Sequence, residues 1–342
     1  MRLPGGIAIW LVAAVLLGPS LALAMERIEV PIKQTVLTDG EIRYSIPVSI
    51  GGSKPIDAML DTGSTGLRIL PGTLPDSAYT ATDQPSVYGF GSGVRLNGVT
   101  ANAVVTIGGA ASPAPIPFQL VRSVDCFPTR PHCPASRISQ QDYGIGGDGL
   151  PRQGFRAIIG TNTGAGQGAD VVNPIGRLGT HAWIVILPKP GDRNPGKLII
   201  NPGPADRAGY VTLPTDEILR KMQGAGAFHD AVLGCLVFEK TQKRICGPTI
   251  LDSGAPGMSI GASDQGSLGG WSQGDPVALV FKDGRGGEAT ARFTAGADRA
   301  SRISAKLSPN QPRNRISSGS LPYFYLSVLY DDEQHVIGFK PR

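Results

Sequence analysis

Short apolar runs set off by turn residues recur along most of the chain. Arg43–Ile50, Ala103–Ile107, Ala182–Leu187, Lys197–Ile200, Val277–Phe281 and Tyr325–Tyr330 are rich in Val, Ile and Leu. Gly-Gly, Asn-Gly, Asp-Gly and Pro-Gly pairs punctuate them, which predicts short β-strands joined by tight turns. Only Asp216–Gln223 carries a helical pattern, with Ile218, Leu219 and Met222 on one side and Thr215 placed as N-cap. No repeat of solenoid length is present.

One apolar run is of a different kind. Ile7–Gly18 follows the positive Arg2 and precedes Ala22-Leu23-Ala24, small residues at the positions a signal peptidase reads. Its 12 residues fall short of the roughly 20 that a spanning helix needs. Residues 1–24 are therefore expected to be a signal peptide cleaved near Ala24. The mature chain would begin near Met25 and be secreted or periplasmic, with no membrane anchor.

Composition narrows the fold class. With 47 Gly and 29 Pro in 342 residues, about 22% of the chain disfavours helix, which excludes a long coiled coil or helical bundle. An apolar share of 41% is ample for a core and argues against disorder. The expectation is an all-β protein long enough for two lobes. Without Arg2 the chain has 31 basic and 27 acidic residues, a mild excess. Many of the arginines fall between Arg285 and Arg315 among Gly, Ser, Asn and Pro, which reads as a solvated loop and not as a nucleic-acid surface.

Four cysteines remain, and in an exported chain local disulfides Cys126–Cys133 and Cys235–Cys246 are expected. The second pair brackets a hairpin-like segment, Leu236–Ile245. His132 beside Cys133 has no second His at ligand spacing, so no metal site is expected.

One short pattern occurs twice, 191 residues apart: Ala58-Met59-Leu60-Asp61-Thr62-Gly63-Ser64 and Thr249-Ile250-Leu251-Asp252-Ser253-Gly254-Ala255. In each, an apolar run delivers an Asp, a hydroxyl residue follows that can bond to backbone, and a Gly lets the chain turn sharply. Two such loops face to face would bring two carboxylates around one water. This pair of loops resembles those of the pepsin-like aspartic peptidases. Tyr88-Gly89-Phe90-Gly91-Ser92-Gly93 resembles the family's flap, and Val99–Gly109 the strands descending from it. Phe155–Gly160 resembles the apolar-apolar-Gly segment behind the first aspartate. Gly196–Asn201 is similar to the strand near the end of the first lobe, and Tyr325–Phe339 to the closing hairpin.

The resemblance implies a bilobal double β-barrel with the cleft between lobes at about residues 25–205 and 206–342. It implies an aspartic endopeptidase with Asp61 and Asp252 as the dyad, Thr62, Gly63, Ser64, Ser253 and Gly254 supporting the loops, and Tyr88, Gly89 and Phe90 closing over substrate. Two carboxylates in such a dyad share one proton, behaviour for which the aspartic proteases are the standard example. The substrate would be an extended polypeptide bound by a monomer, with no metal or organic cofactor. A catalytically weak or inactive module that binds peptide or carbohydrate is the alternative, since the family includes such members.

Three departures qualify the implied picture. Where the first loop has Ser64, a hydroxyl that in the family bonds to the outer carboxylate oxygen, the second has Ala255. Losing that bond should raise the dyad's titration and move the optimum away from strongly acid pH. The second half's apolar-apolar-Gly element is blurred, with Ile316-Ser317-Ser318-Gly319 its best counterpart. Met25 to about Glu41 is shorter than the usual inhibitory pro-segment. Other motifs fail their contexts: Gly144–Gly149 is followed by Leu150-Pro151 where a nucleotide-binding helix should start, and neither His-Glu-x-x-His nor Gly-x-Ser-x-Gly occurs.

Overall fold

A computed structural model describes residues 26–164, 171–222, 226–308 and 310–342. The expected signal segment lies outside the described residues. The chain is mostly β, in a fifteen-stranded and a seven-stranded sheet. The apolar runs form strands within one or two residues of the expected bounds, as Ile42–Ile50, Ala182–Ile186, Gly196–Ile200, Pro276–Lys282 and Leu326–Asp331. The larger sheet runs open from Thr80–Gly89 at one edge to Val211–Pro214 at the other, and no barrel closure is seen among the described residues.

The smaller sheet draws only on residues 232–317, whereas the larger one joins distant parts of the chain. Its strand Ala182–Ile186 pairs antiparallel with Leu326–Asp331, setting Trp183 against Tyr330 and Val185 against Val328. The closing hairpin, Leu326–Asp331 with Val336–Pro341, thus completes a sheet begun by Ile28–Val36. Trp183 stacks on Tyr330 at 5.6 Å, and Phe339 on Phe281 of the smaller sheet at 4.0 Å. One apolar core therefore continues across both sheets, from Ile46 and Leu60 to Leu236 and Phe281. Burying an aromatic side chain of this kind contributes about 1.5–3 kcal/mol.

Both disulfides form as expected. Cys235 and Cys246 sit directly opposite on Val232–Phe238 and Lys243–Ile250, strands inside the smaller sheet. Closing a loop of this length removes unfolded-state entropy worth about 3 kcal/mol. Replacing both cysteines with Ala is expected to lower unfolding free energy by about that amount, measured by urea titration.

Two local expectations need correction. The helical segment is a short turn of helix, Glu217–Lys221, and its N-cap is Asp216, whose Oδ1 accepts from the Leu219 amide at 3.0 Å. Thr215 cannot cap because its amide and hydroxyl both bond to the His335 carbonyl. Only Leu219 is buried, while Ile218 and Met222 face solvent and Gln223 lies outside the described residues. The arginine-rich stretch from 285 to 315 is not a loop, for it holds Glu288–Thr294, Ile303–Leu307 and the start of Arg315–Ser317. In the first of these, Ala289, Ala291 and Phe293 point inward and Arg292 outward. Alanine at inward positions gives a weak apolar signal, so the period-two pattern is hidden.

Candidate active site

The first Asp loop follows the buried strand Ile56–Asp61, and Ala157–Thr161 lies parallel behind it, Gly160 beside Asp61. The second half repeats this arrangement in shorter form. Arg315–Ser317 pairs parallel with Lys243–Ile250, placing Ser317 beside Ile250, and the Ser318 amide bonds to the Ile250 carbonyl at 3.0 Å. Gly160 and Gly319 then play matching parts. A Cβ on Gly160 would lie 2.5 Å from the Ser64 carbonyl oxygen, and one on Gly319 would lie 2.7 Å from that of Gly257 and 3.2 Å from that of Ala255. Gly319 also has φ near +62°, a conformation that side chains disfavour.

The two Asp loops are bonded to each other reciprocally. The Thr62 amide donates to Ser253 Oγ at 3.0 Å, and the Ser253 amide donates to Thr62 Oγ1 at 2.9 Å. Each hydroxyl then donates across to the opposite chain segment, Thr62 Oγ1 to the Leu251 carbonyl at 2.7 Å and Ser253 Oγ to the Leu60 carbonyl at 2.8 Å. Tyr323, itself bonded to Tyr330, donates its hydroxyl to Thr62 Oγ1 at 2.8 Å.

Glycine allows the loops to approach this closely. A Cβ on Gly63 would sit 2.4 Å from the Asp252 carboxyl carbon, and one on Gly254 would sit 2.5 Å from Asp61 Oδ1. Each loop's glycine therefore backs onto the other loop's carboxylate. Asp61 Oδ1 accepts from the Gly63 amide at 2.9 Å, while Asp252 Oδ1 accepts from the Gly254 and Ala255 amides, both at 3.0 Å. Ser317 Oγ donates to Asp252 Oδ2 at 3.3 Å. Burial and the Asp61 charge push the Asp252 carboxyl up to about 7, against the pull of these donors. The buried Ser64 hydroxyl does not make the bond to Asp61 that the resemblance implied.

Both carboxylates open onto a cleft of about 850 Å³. Tyr88, Gly89 and Phe90 border it, at the end of the hairpin formed by Thr80–Gly89 and Val94–Ala103. Met59, Tyr143, Ile145 and Ile158 give it an apolar wall, and Ala255, Pro256, Ser259 and Ser317 line it from the second half. Farther along, Arg43 pairs with Asp148 at 2.6 Å, and Arg299 pairs with Asp39 at 2.8 Å. Burial and the neighbouring Asp148 push the Glu41 carboxyl within this cluster up to about 7.

Three supports carry no motif in the sequence. Arg68 is fully buried in Thr65–Ile69, its guanidinium 3.4 Å from the centre of the Tyr88 ring. It donates to the Gly66 and Thr65 carbonyls, has no carboxylate partner among the described residues, and its Nε is left without a hydrogen bond. Burial pushes its pKa down and that of Tyr88 up; the Arg68 charge and the nearby Ser64 hydroxyl pull Tyr88 back. Second, the loop closed by Cys126–Cys133 grips the hairpin tip. The Phe127 amide donates to the Gly93 carbonyl at 2.9 Å, and the Arg130 side chain donates to the Gly91 carbonyl. Third is Ser317. An arginine in an otherwise small and apolar strand was the available signal for Arg68, and the Ile316–Gly319 segment the signal for Ser317.

No helix among the described residues is long and apolar enough to cross a membrane. No group of His, Cys, Asp and Glu among them could hold a metal ion. No protein-family model matches the chain, and no curated protein sequence does so either.

Proposed function

We propose that this chain is an exported aspartic endopeptidase of pepsin-like, two-lobed architecture, hydrolysing peptide bonds through the Asp61/Asp252 dyad. The observation that carries this reading is the reciprocal arrangement of the two loops, each glycine against the opposite carboxylate and each hydroxyl bonded across to the other chain segment. So symmetric a device, built from segments 191 residues apart, supports a pair of carboxylates acting together at the floor of a cleft. Structural turns made by isolated Asp-Thr-Gly motifs have no need of it.

The chemistry follows from the electrostatics. Two carboxylates this close cannot both ionise cheaply, and the proton they share belongs to the pair. Burial and the Asp61 charge favour holding it on Asp252 up to about pH 7. The protonated member donates to the scissile carbonyl, and the ionised member takes a proton from the attacking water. Water oxygen bonds to the carbonyl carbon, the C–N bond breaks, and the departing nitrogen leaves with a proton. An extended substrate is accommodated because Thr80–Gly89 is an edge strand of its sheet and can accept a further strand.

The test is cleavage of a denatured protein by the chain from Met25 onward across pH 3–8. Cleavage from acid pH to about 7, lost in Asp61→Asn, is the expected result. Activity that survives both Asp61→Asn and Asp252→Asn overturns the dyad. No cleavage at any pH overturns the peptidase reading in favour of a module that binds without cutting.

A further inference from the structure

The second Asp loop lacks the hydroxyl that its own first-half counterpart carries, for Ala255 stands where Ser64 would be expected. Yet the outer oxygen of Asp252 has a donor: Ser317 Oγ, 3.3 Å from Oδ2. It arrives from a different segment, 65 residues onward, on the strand that runs parallel behind the loop. The first half is the reverse case. There Ile158, set beside Met59 as Ser317 is beside Ile250, has no hydroxyl to offer, and Ser64 is present without a bond to the Asp61 carboxylate. The two halves thus share a backbone plan, and the second brings a hydroxyl from its parallel strand to its aspartate where the first does not.

We propose that Ser317 is a positioning residue that supplies from Arg315–Ser317 the hydroxyl Ala255 lacks, orienting the outer oxygen of Asp252 in the cleft. This rests on the peptidase reading above for its catalytic meaning. The bond itself does not, because it concerns the state of one carboxyl group. A donor to a carboxylate favours the ionised form, so Ser317 holds the Asp252 titration below the level that burial alone would set. The titratable groups facing Asp252 are Asp61 from the first loop, Tyr88 from the hairpin, and Tyr323 and Tyr330 from the closing segment. Arg68 stands behind Tyr88. Of these, Asp61 is the one other carboxyl, and its charge opposes ionisation of Asp252 where Ser317 favours it.

The experiment follows the Asp252 carboxyl directly, by difference infrared titration of the folded chain against Asp252→Asn, with pH–activity profiles alongside. Ser317→Ala is expected to raise the titration by about 0.5–1 pH unit, the worth of one ordinary hydrogen bond. Ser317→Thr, which keeps the hydroxyl, is expected to titrate as wild type. A midpoint unmoved in Ser317→Ala, or moved equally in Ser317→Thr, overturns the proposal. Should Ser317→Ala not fold, Ser317→Cys, close in size but a much weaker donor, decides: a raised midpoint upholds the role of Ser317, and an unchanged midpoint overturns it. Shifts as expected in a chain that cleaves nothing would uphold the role of Ser317 and reject the peptidase reading.

Discussion

Asp252→Asn is expected to lower peptide-bond cleavage by about 10³-fold or more while leaving the protein folded and changing how its stability depends on pH. The loss of activity follows because an amide cannot pass a proton between carbonyl and water. Folding should survive, since the new amide's carbonyl oxygen can still accept from the Gly254 and Ala255 amides, as Asp252 Oδ1 does. The effect on stability has a definite sign. Asp252 titrates at about 7 when folded, above the unfolded value near 3.8, so the folded state binds the proton more tightly. Its contribution is fully present below about pH 4 and is lost as pH rises towards 7. Glu41, also raised to about 7, adds a loss over a similar window. The Asp252→Asn variant lacks the first contribution and keeps the second. Urea unfolding at pH 4, 5, 6 and 7 should therefore show a shallower decline in the variant than in wild type. A parallel decline would mean that Asp252 is not held protonated, and retained cleavage would remove it from the chemistry.

Thr62→Val carries the second large effect, this time on stability. The Thr62 hydroxyl serves three buried partners, donating to the Leu251 carbonyl and accepting from the Ser253 amide and the Tyr323 hydroxyl. Valine has nearly the same shape and satisfies none of them. A buried polar group left unpaired costs about 1–3 kcal/mol, and some relaxation is expected when three share one site. The expected loss is about 3–5 kcal/mol, a large part of the 5–15 kcal/mol typical of a folded domain. Thr62→Ser restores the hydroxyl and should recover most of it. Equilibrium unfolding of both variants decides the matter. A loss below about 1 kcal/mol for Val would mean that the loops are held by other contacts.

Much of this arrangement could be read along the chain because its determinants are local. Each Asp loop announces itself within seven residues, the strands by runs of β-branched residues, and the disulfides by cysteines seven and eleven positions apart. What the chain order conceals is which distant residue completes each local motif. Asp216 displaces Thr215 as cap because Thr215 is drawn to His335, 120 residues away. The strand Glu288–Thr294 was hidden because its inward residues are mostly alanine. Ala255 read as a missing support because the replacement, Ser317, lies on a distant strand whose register only the folded sheet defines. Arg68 went unread for an energetic reason: an unpaired cation is costly to bury, and here an aromatic face and two backbone carbonyls stand in for a carboxylate.

The shared sheet also sets an order in time. Tyr323 and Tyr330, which brace Thr62, are synthesised some 260 residues after it. Ala182–Ile186 likewise waits for Leu326–Asp331 before its edge is covered. A nascent or truncated chain ending short of residue 321 holds both aspartates but lacks the tyrosine strut beneath the first. The first Asp loop is thus braced only once the segment from residue 321 onward has been made and drawn beneath it.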